Sequence, residues 1–141
     1  MSDPGTILRI AAKGDGVTAD GRFRALAAPG DVLQDDGSLA LGQHHVDPPC
    51  RHFGTCGGCQ LQHCDDDALA RFVFDRVANA AAGQGLPTDV IAPAHLSPPS
   101  SRRRATLHAQ VGGKVDLGFR EGGSHRLVDL AECPVLAPEL V

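Results

Sequence analysis

The sequence contains no tryptophan, no tyrosine and a single methionine, and only 4% of its residues are aromatic. A core without large aromatic side chains has to be built mainly from Ala, Leu and Val. With 17 glycines and 10 prolines among 141 residues, the chain is predicted to be rich in loops and short elements. Such a core gives only marginal stability by itself, so an additional cross-link such as a metal centre is expected.

Signals for membrane insertion and secretion are also lacking. No apolar run approaches the roughly 18 residues that a membrane helix needs, and no apolar signal segment follows Met1. These absences predict a cytoplasmic location, where thiols stay reduced, and no membrane partner. The formal net charge of -4 argues against nonspecific nucleic-acid binding by the whole surface, although a local basic patch is compatible with it.

Four of the five cysteines lie within fifteen residues, from Cys50 to Cys64. An odd number of cysteines fits a disulfide framework poorly, and clustered reduced thiols favour metal binding. The spacing Cys50-x5-Cys56-x2-Cys59, with the remote Cys133, supplies the four thiolates of a [4Fe–4S] cluster or a structural zinc. Because only Cys56 and Cys59 have the C-x2-C form of a zinc ribbon, the cluster is favoured and zinc is the alternative.

Other residues of this segment are assigned supporting roles. Gly57 and Gly58 let the backbone turn sharply and bring its N–H groups close to sulfur. Cys64 is expected to be a small buried hydrophobic residue. His52 and His63 are able to replace a cysteine on zinc, but they are expected to make hydrogen bonds near the ligands or to face solvent.

The first third of the chain is predicted to form a small β unit over 1–47. Short apolar segments alternate there with turn dipeptides at Asp20-Gly21, Pro29-Gly30 and Asp36-Gly37. This spacing is typical of a small barrel or part of one.

The remainder, 48–141, is predicted to contain one main helix and a meander. Apolar residues at helical spacing place an amphipathic helix over about 66–82, with carboxylates at its start and glycines after its end. Strands over 103–111, 114–120 and 124–130 are expected to form an antiparallel meander that delivers Cys133. The expected fold class is therefore α+β.

A run of three arginines, Arg102 to Arg104, precedes the first strand of this meander. Alternate side chains of a strand face opposite sides, so at most two of the three share a face. One interpretation is a solvated strand edge, where charge deters aggregation. The other is phosphate contact with RNA, joined by Arg120 or Arg126, and the two interpretations are equally weighted.

Several motifs occur in a characteristic order. The pattern C-x5-C-G-G-C-Q-x-Q-H begins at Cys50, and it is followed by Leu117-Gly118-Phe119-Arg120, Ser124-His125-x-Leu127-Val128-Asp129 and Cys133-Pro134-Val135-Leu136. In this order the motifs resemble the N-terminal part of the bacterial RNA (uracil-C5)-methyltransferase family, in the 23S rRNA branch that carries an iron–sulfur cluster. The resemblance implies a TRAM-type, OB-like RNA-binding domain at 1–47 and an α/β central domain holding the cluster over 48–141.

The family would also have a C-terminal domain that binds S-adenosylmethionine and carries the catalytic cysteine. This sequence ends at Val141, before such a domain, and the first unit is short for a TRAM domain. Asp66 and Val73 stand where relatives often carry Tyr and Lys, which weakens the case for RNA contact by the helix. The expectation is a fragment or truncated reading frame that recognises 23S rRNA and is catalytically silent without its methyltransferase domain. A stand-alone zinc or iron–sulfur binding module is the alternative.

Overall fold

The computed structural model describes residues 3–141, which divide into two compact units. The first unit comprises the chain up to Val46 together with His63–Leu96, and the second comprises Asp47–Gln62 together with Ser97–Val141. The chain thus leaves the first unit beside the predicted boundary at 47/48 and later returns to it. The first two residues of the predicted 1–47 domain lie outside the described residues.

Five short strands belong to the first unit: β1 (Ile7–Ile10), β2 (Gly16–Thr18), β3 (Phe23–Arg24), β4 (Val32–Leu33) and β5 (Leu39–Ala40). The first three form an antiparallel sheet in the order β1-β2-β3, and β4 pairs with β5 in a separate antiparallel sheet. Within residues 3–141 neither sheet closes into a barrel. The TRAM-type or OB-like assignment therefore stays a prediction.

Strand β2 has no counterpart among the elements predicted from the sequence. All three of its residues are buried. A Cβ atom on Gly16 would lie 2.9 Å from both Ala27 Cβ and Ile7 Cγ2, so only glycine fits there. The contacts that bury this strand come from residues distant in sequence, and a three-residue pattern does not contain that information.

The core of the first unit contains one buried carboxylate, Asp31. One oxygen of Asp31 accepts hydrogen bonds from the Ala28 N–H at 2.8 Å and from His45 Nδ1 at 2.7 Å. The other oxygen accepts from the Gly42 N–H at 2.8 Å. Because Asp31 is fully buried and each oxygen is bonded, it fastens β4 to the segment that leads toward the cysteines.

Helix α1 (Asp66–Gly83) confirms the predicted helix. The Asp65 carboxylate caps it by accepting a hydrogen bond from the Ala68 N–H at 2.9 Å, and this bond lowers the pKa of the Asp65 carboxyl. The helix ends just before Gly85, which has a φ of +70°, and the Leu86 N–H closes the last turn on the Ala81 carbonyl at 2.9 Å. Local capping signals were sufficient to place this element.

The second unit contains an antiparallel hairpin of β6 (His108–Val111) and β7 (Val115–Gly118) and a short 3₁₀ helix, Pro138–Leu140. A third segment pairs with the end of β7 without forming a regular strand. Its Val128 N–H donates to the Phe119 carbonyl at 2.8 Å, and its Leu130 N–H donates to the Leu117 carbonyl at 3.0 Å. The predicted meander is therefore present in part.

The predicted strand over 103–111 begins too early, since β6 starts at His108. The backbone at Arg102 forms a parallel bridge with Leu136. The Arg102 N–H donates to the Val135 carbonyl at 3.0 Å, and the Ala137 N–H donates to the Arg102 carbonyl at 2.8 Å. Residues 103–107 belong to no described strand and connect this bridge to β6.

None of the helices described in residues 3–141 is both long and apolar enough to cross a bilayer.

Candidate metal centre

The cysteine loop is bonded to the segment that directly follows β7. The Gly57 N–H donates to the Arg120 carbonyl at 2.8 Å, and Cys56 forms an isolated antiparallel bridge with Glu121. A Cβ atom on Gly57 would lie 2.5 Å from the Arg120 oxygen, closer than any side chain can be accommodated. Gly57, which follows Cys56, is therefore needed for this close backbone approach.

The segment carrying Cys133 is held against the beginning of the same loop. The Glu132 carboxylate accepts a hydrogen bond from the Arg51 N–H at 3.0 Å and forms an ion pair with Arg51 Nε at 3.3 Å. The Ala131 N–H donates to His52 Nε2 at 3.2 Å. Two residues that follow Cys50 are thus joined to two residues that precede Cys133.

The four cysteines predicted as ligands, Cys50, Cys56, Cys59 and Cys133, all lie in the second unit, half-buried and without disulfide bonds. Burial raises the pKa of the Cys59 thiol, a hydrogen bond with Gln62 lowers it, and the charges of the other three cysteines raise it further. The thiolates are therefore close enough to repel one another. A cation bound among them would remove this repulsion and stabilise the deprotonated form.

Backbone N–H groups are directed at two of the sulfurs. The His52 N–H donates to Cys50 Sγ, and the Gly58 N–H donates to Cys56 Sγ, both at 3.4 Å. Hydrogen bonds of this kind orient metal-bound thiolates and tune their electron density.

Gln62 was not singled out from the sequence, although it belongs to the C-Q-x-Q-H motif. Its side-chain oxygen accepts a hydrogen bond from the Cys50 N–H at 3.2 Å, and its hydrogen bond to Cys59 lowers the pKa of that thiol. The signal available in the sequence was its place three residues after Cys59 in the same loop. Gln62 therefore connects the first and third cysteines of the loop.

Cys64 and His63 follow the loop in the sequence but belong to the first unit, whereas the four predicted ligands belong to the second. Cys64 is buried, and burial raises the pKa of its thiol to about 11, which suits the expected small hydrophobic residue. His63 is 2% exposed, with its Nε2 atom 3.2 Å from the Ala27 carbonyl oxygen, so the expectation that it faces solvent is wrong.

A second group with ligand-type atoms consists of His44, Asp65 and Asp67, whose nitrogen and oxygen atoms lie within 4.8 Å of one another. His44 Nδ1 lies 2.9 Å from one oxygen of Asp65, while the other oxygen caps helix α1. The group stands at a helix N-terminus, where the helix dipole disfavours a cation. Its geometry is thus explained by capping.

The arginines predicted to contact RNA are exposed and lie in the same unit as the four thiols. Arg102 Nε donates to the Arg104 carbonyl at 3.1 Å, so one N–H group of that guanidinium is already hydrogen-bonded. Arg120 Nη1 lies 3.0 Å from His125 Nδ1. Nothing in these bonds neutralises the positive charges, and they stay available to an anionic partner.

Curated relatives of this chain are named as RNA methyltransferases. The chain is 50% identical over 135 residues to an uncharacterised RNA methyltransferase of Zymomonas mobilis. The matched region covers 95% of this chain and 34% of that protein. It is 42% identical over 152 residues to one of Caulobacter vibrioides, covering 96% of this chain and 36% of that protein. It is also 42% identical over 108 residues to the 23S rRNA (uracil(1939)-C(5))-methyltransferase of Halomonas elongata, covering 72% of this chain and 22% of that enzyme. No protein-family model matches the chain.

Over the span that it shares with these relatives, the chain belongs to the RNA methyltransferase family. The resemblance inferred from the order of the motifs is thereby confirmed. The chain spans about a third of the length of the Zymomonas and Caulobacter relatives.

Proposed function

We propose that this chain is the RNA-recognition and [4Fe–4S]-binding portion of an S-adenosylmethionine-dependent RNA (uracil-C5)-methyltransferase acting on 23S rRNA in the cytoplasm. The observation that carries the proposal is that two contacts, Arg51 with Glu132 and His52 with Ala131, hold the Cys133 segment against the loop of the other three thiols in one unit. The names of the relatives support the methyltransferase class, and the Halomonas enzyme supports the rRNA substrate.

The positions of the thiols in the sequence support a [4Fe–4S] cluster over zinc. Only Cys56 and Cys59 have the C-x2-C form of a zinc ribbon. Four cysteine thiolates are the ligand set of a [4Fe–4S] cluster. Cys50, Cys56, Cys59 and Cys133 would hold such a cluster, which supplies cationic iron to four thiolates.

The role proposed for the cluster is structural. Methyl transfer to a uracil requires no redox step, and the cluster would fasten the loop at Cys50–Cys59 to the segment at Cys133. The loop is bonded to Arg120, and it lies in the same unit as Arg102 to Arg104. Fixing the loop would therefore fix a surface whose arginines contact RNA phosphates. The chemistry itself would need the methyl-donor domain of the longer protein.

Anaerobic purification of the chain tests the metal assignment. A brown protein that absorbs near ~400 nm and contains about four irons is the expected result. Cys133→Ala should abolish the absorption, whereas Cys64→Ala, a change in the other unit, should retain it. A colourless protein with one tightly bound zinc would overturn the cluster in favour of the zinc module.

A methylation assay tests the enzymatic assignment. The longer protein containing this segment should transfer a methyl group from S-adenosylmethionine to a uridine of a 23S rRNA fragment, and the 141-residue chain alone should not. Methylation by the chain alone would contradict the assignment of this part to recognition.

A further inference from the structure

A cavity of about 250 Å³ lies in the first unit between strand β1 and helix α1. At about 30 Å³ per water molecule it holds about eight waters, which is the bulk of a single pyrimidine base. A wider cavity of about 970 Å³ shares Leu8 and Arg71 with it and continues along the helix. Neighbouring nucleotides of a single strand have room there.

The smaller cavity is basic although the chain as a whole is acidic. Arg9, Arg71 and Arg76 line it with a single carboxylate, that of Asp75, whereas the chain carries a formal net charge of -4. All three arginines are exposed. A concentration of positive charge in an acidic protein attracts an anionic ligand to this place in particular.

One of these arginines is held over an aromatic ring. The guanidinium carbon of Arg76 lies 5.5 Å from the centroid of the Phe72 ring, and its Nη1 atom donates to the Ala12 carbonyl at 3.3 Å. Phe72 is only half-buried, and Leu8 beside it in the cavity is 57% exposed. Aromatic rings and guanidinium planes are the surfaces on which unpaired bases stack. An acidic peptide would pair with the arginines, but it would leave the flat surfaces of Phe72 and Arg76 without a stacking partner.

We infer that this cavity binds an unpaired nucleotide of the RNA, with the base against Phe72 and Arg76 and the phosphate near Arg9 and Arg71. The inference rests on the proposed function and names a contact in the first unit, apart from the cysteines and the arginines of the second. A base in a duplex is already stacked and cannot enter, so the site selects single-stranded RNA.

Fluorescence anisotropy tests the inference with the full chain, its metal centre loaded, and a labelled uridine-rich oligoribonucleotide. Phe72→Leu keeps an apolar side chain but removes the ring face, and it should weaken binding by about fivefold or more without changing the salt dependence. Arg71→Gln should weaken binding and lower the salt slope by about one. Arg24→Gln removes the same charge from the same unit outside the cavity, and it should have less than about a twofold effect.

Two further measurements keep the test independent of misfolding. Helical circular dichroism shows whether each variant is folded, and Arg76→Gln, an exposed change, provides a second test of the stacking surface. Photocrosslinking of the wild-type chain to an oligoribonucleotide with 4-thiouridine should place the crosslink on peptides containing β1 or Phe72.

Equal affinity of wild type and all cavity variants, or a crosslink confined to the second unit, would overturn the inference while leaving the proposed RNA role standing. Tighter binding of the same sequence as a duplex would overturn it as well. If the wild-type chain bound neither single-stranded nor duplex RNA, the proposed function itself would fail.

Discussion

The carboxylate of Glu132, the residue before Cys133, accepts a hydrogen bond from the backbone N–H of Arg51, the residue after Cys50, at 3.0 Å. The two cysteines are 83 positions apart in numbering, yet their neighbours are in direct contact. The remote thiol is therefore positioned by protein contacts that do not depend on a metal.

Replacing Glu132 by alanine should weaken metal retention. The change removes both the hydrogen bond to the Arg51 N–H and the ion pair with Arg51 Nε, so the Cys133 segment is less restrained. Partners that hydrogen-bond the metal ligands directly are worth about 10-fold or more in metal affinity, and Glu132 acts one residue away from two of the ligands, so a loss of up to about 10-fold is expected. The rate of metal loss to a chelator measures the effect. Glu139→Ala, an exposed carboxylate of the same unit, is the control, and equal rates for both variants would refute the positioning role.

Gly57→Ala should destabilise the second unit by about 1–3 kcal/mol, since the new Cβ would lie 2.5 Å from the Arg120 carbonyl oxygen and the backbone must move. Metal content after reconstitution should fall as well, because Gly57 lies between two of the thiols. Denaturant unfolding provides the free energy. Gly112→Ala makes the matched control because nothing lies within 4 Å of its added Cβ. A Gly57→Ala protein as stable as the control would show that the loop adapts freely.

Acidification should destabilise the first unit through His63. Burial lowers the pKa of His63 below its usual 6.5. Just below pH 6.5 this imidazole is therefore neutral in the folded chain, whereas it binds a proton in the unfolded chain. Stability is therefore lost as the pH falls from about 6.5 toward the lower pKa of the folded state. The free energy of unfolding should depend less steeply on pH in this range for His63→Gln than for wild type. An unchanged slope for His63→Gln would disprove the account.

The double change Arg103→Gln, Arg104→Gln should weaken RNA binding and lower the slope of log affinity against log salt by about two. Both arginines are exposed and each would release one counterion equivalent on contact with a phosphate. Lys114→Gln is the matched control, because Asp116 at 3.1 Å and Asp129 at 3.6 Å already neutralise that ammonium group. An unchanged salt slope in the double variant would remove the arginine run from the RNA-binding surface.

Features with local causes could be predicted from the sequence. Helix α1 begins after a capping Asp65 and ends before Gly85, and both signals stand within one turn of the helix ends. The family was recognisable because several motifs with fixed residues occur in a fixed order. Each of these inferences needed only neighbouring residues or their order.

Features that depend on distant contacts could not be predicted. The buried bond between Asp31 and His45 joins segments whose sequences contain no shared pattern. The strand predicted from Arg103 begins at His108, and Arg102 is bridged instead to Leu136, thirty-four positions later in the numbering. Gln62 acquires its role from its distance to the Cys50 N–H, which a linear motif does not specify.

The first unit is interrupted by the loop that carries three of the thiols, and the fourth thiol comes from a segment near the end of the chain. Ribosomes add about 5–20 residues per second, so several seconds separate the synthesis of Cys59 from that of Cys133. During that interval Cys50, Cys56 and Cys59 are present on the nascent chain without Cys133. The proposed four-thiolate centre would therefore assemble only after Cys133 has emerged, and the nascent chain before that point would be the stage most exposed to oxidation or to capture of a wrong metal.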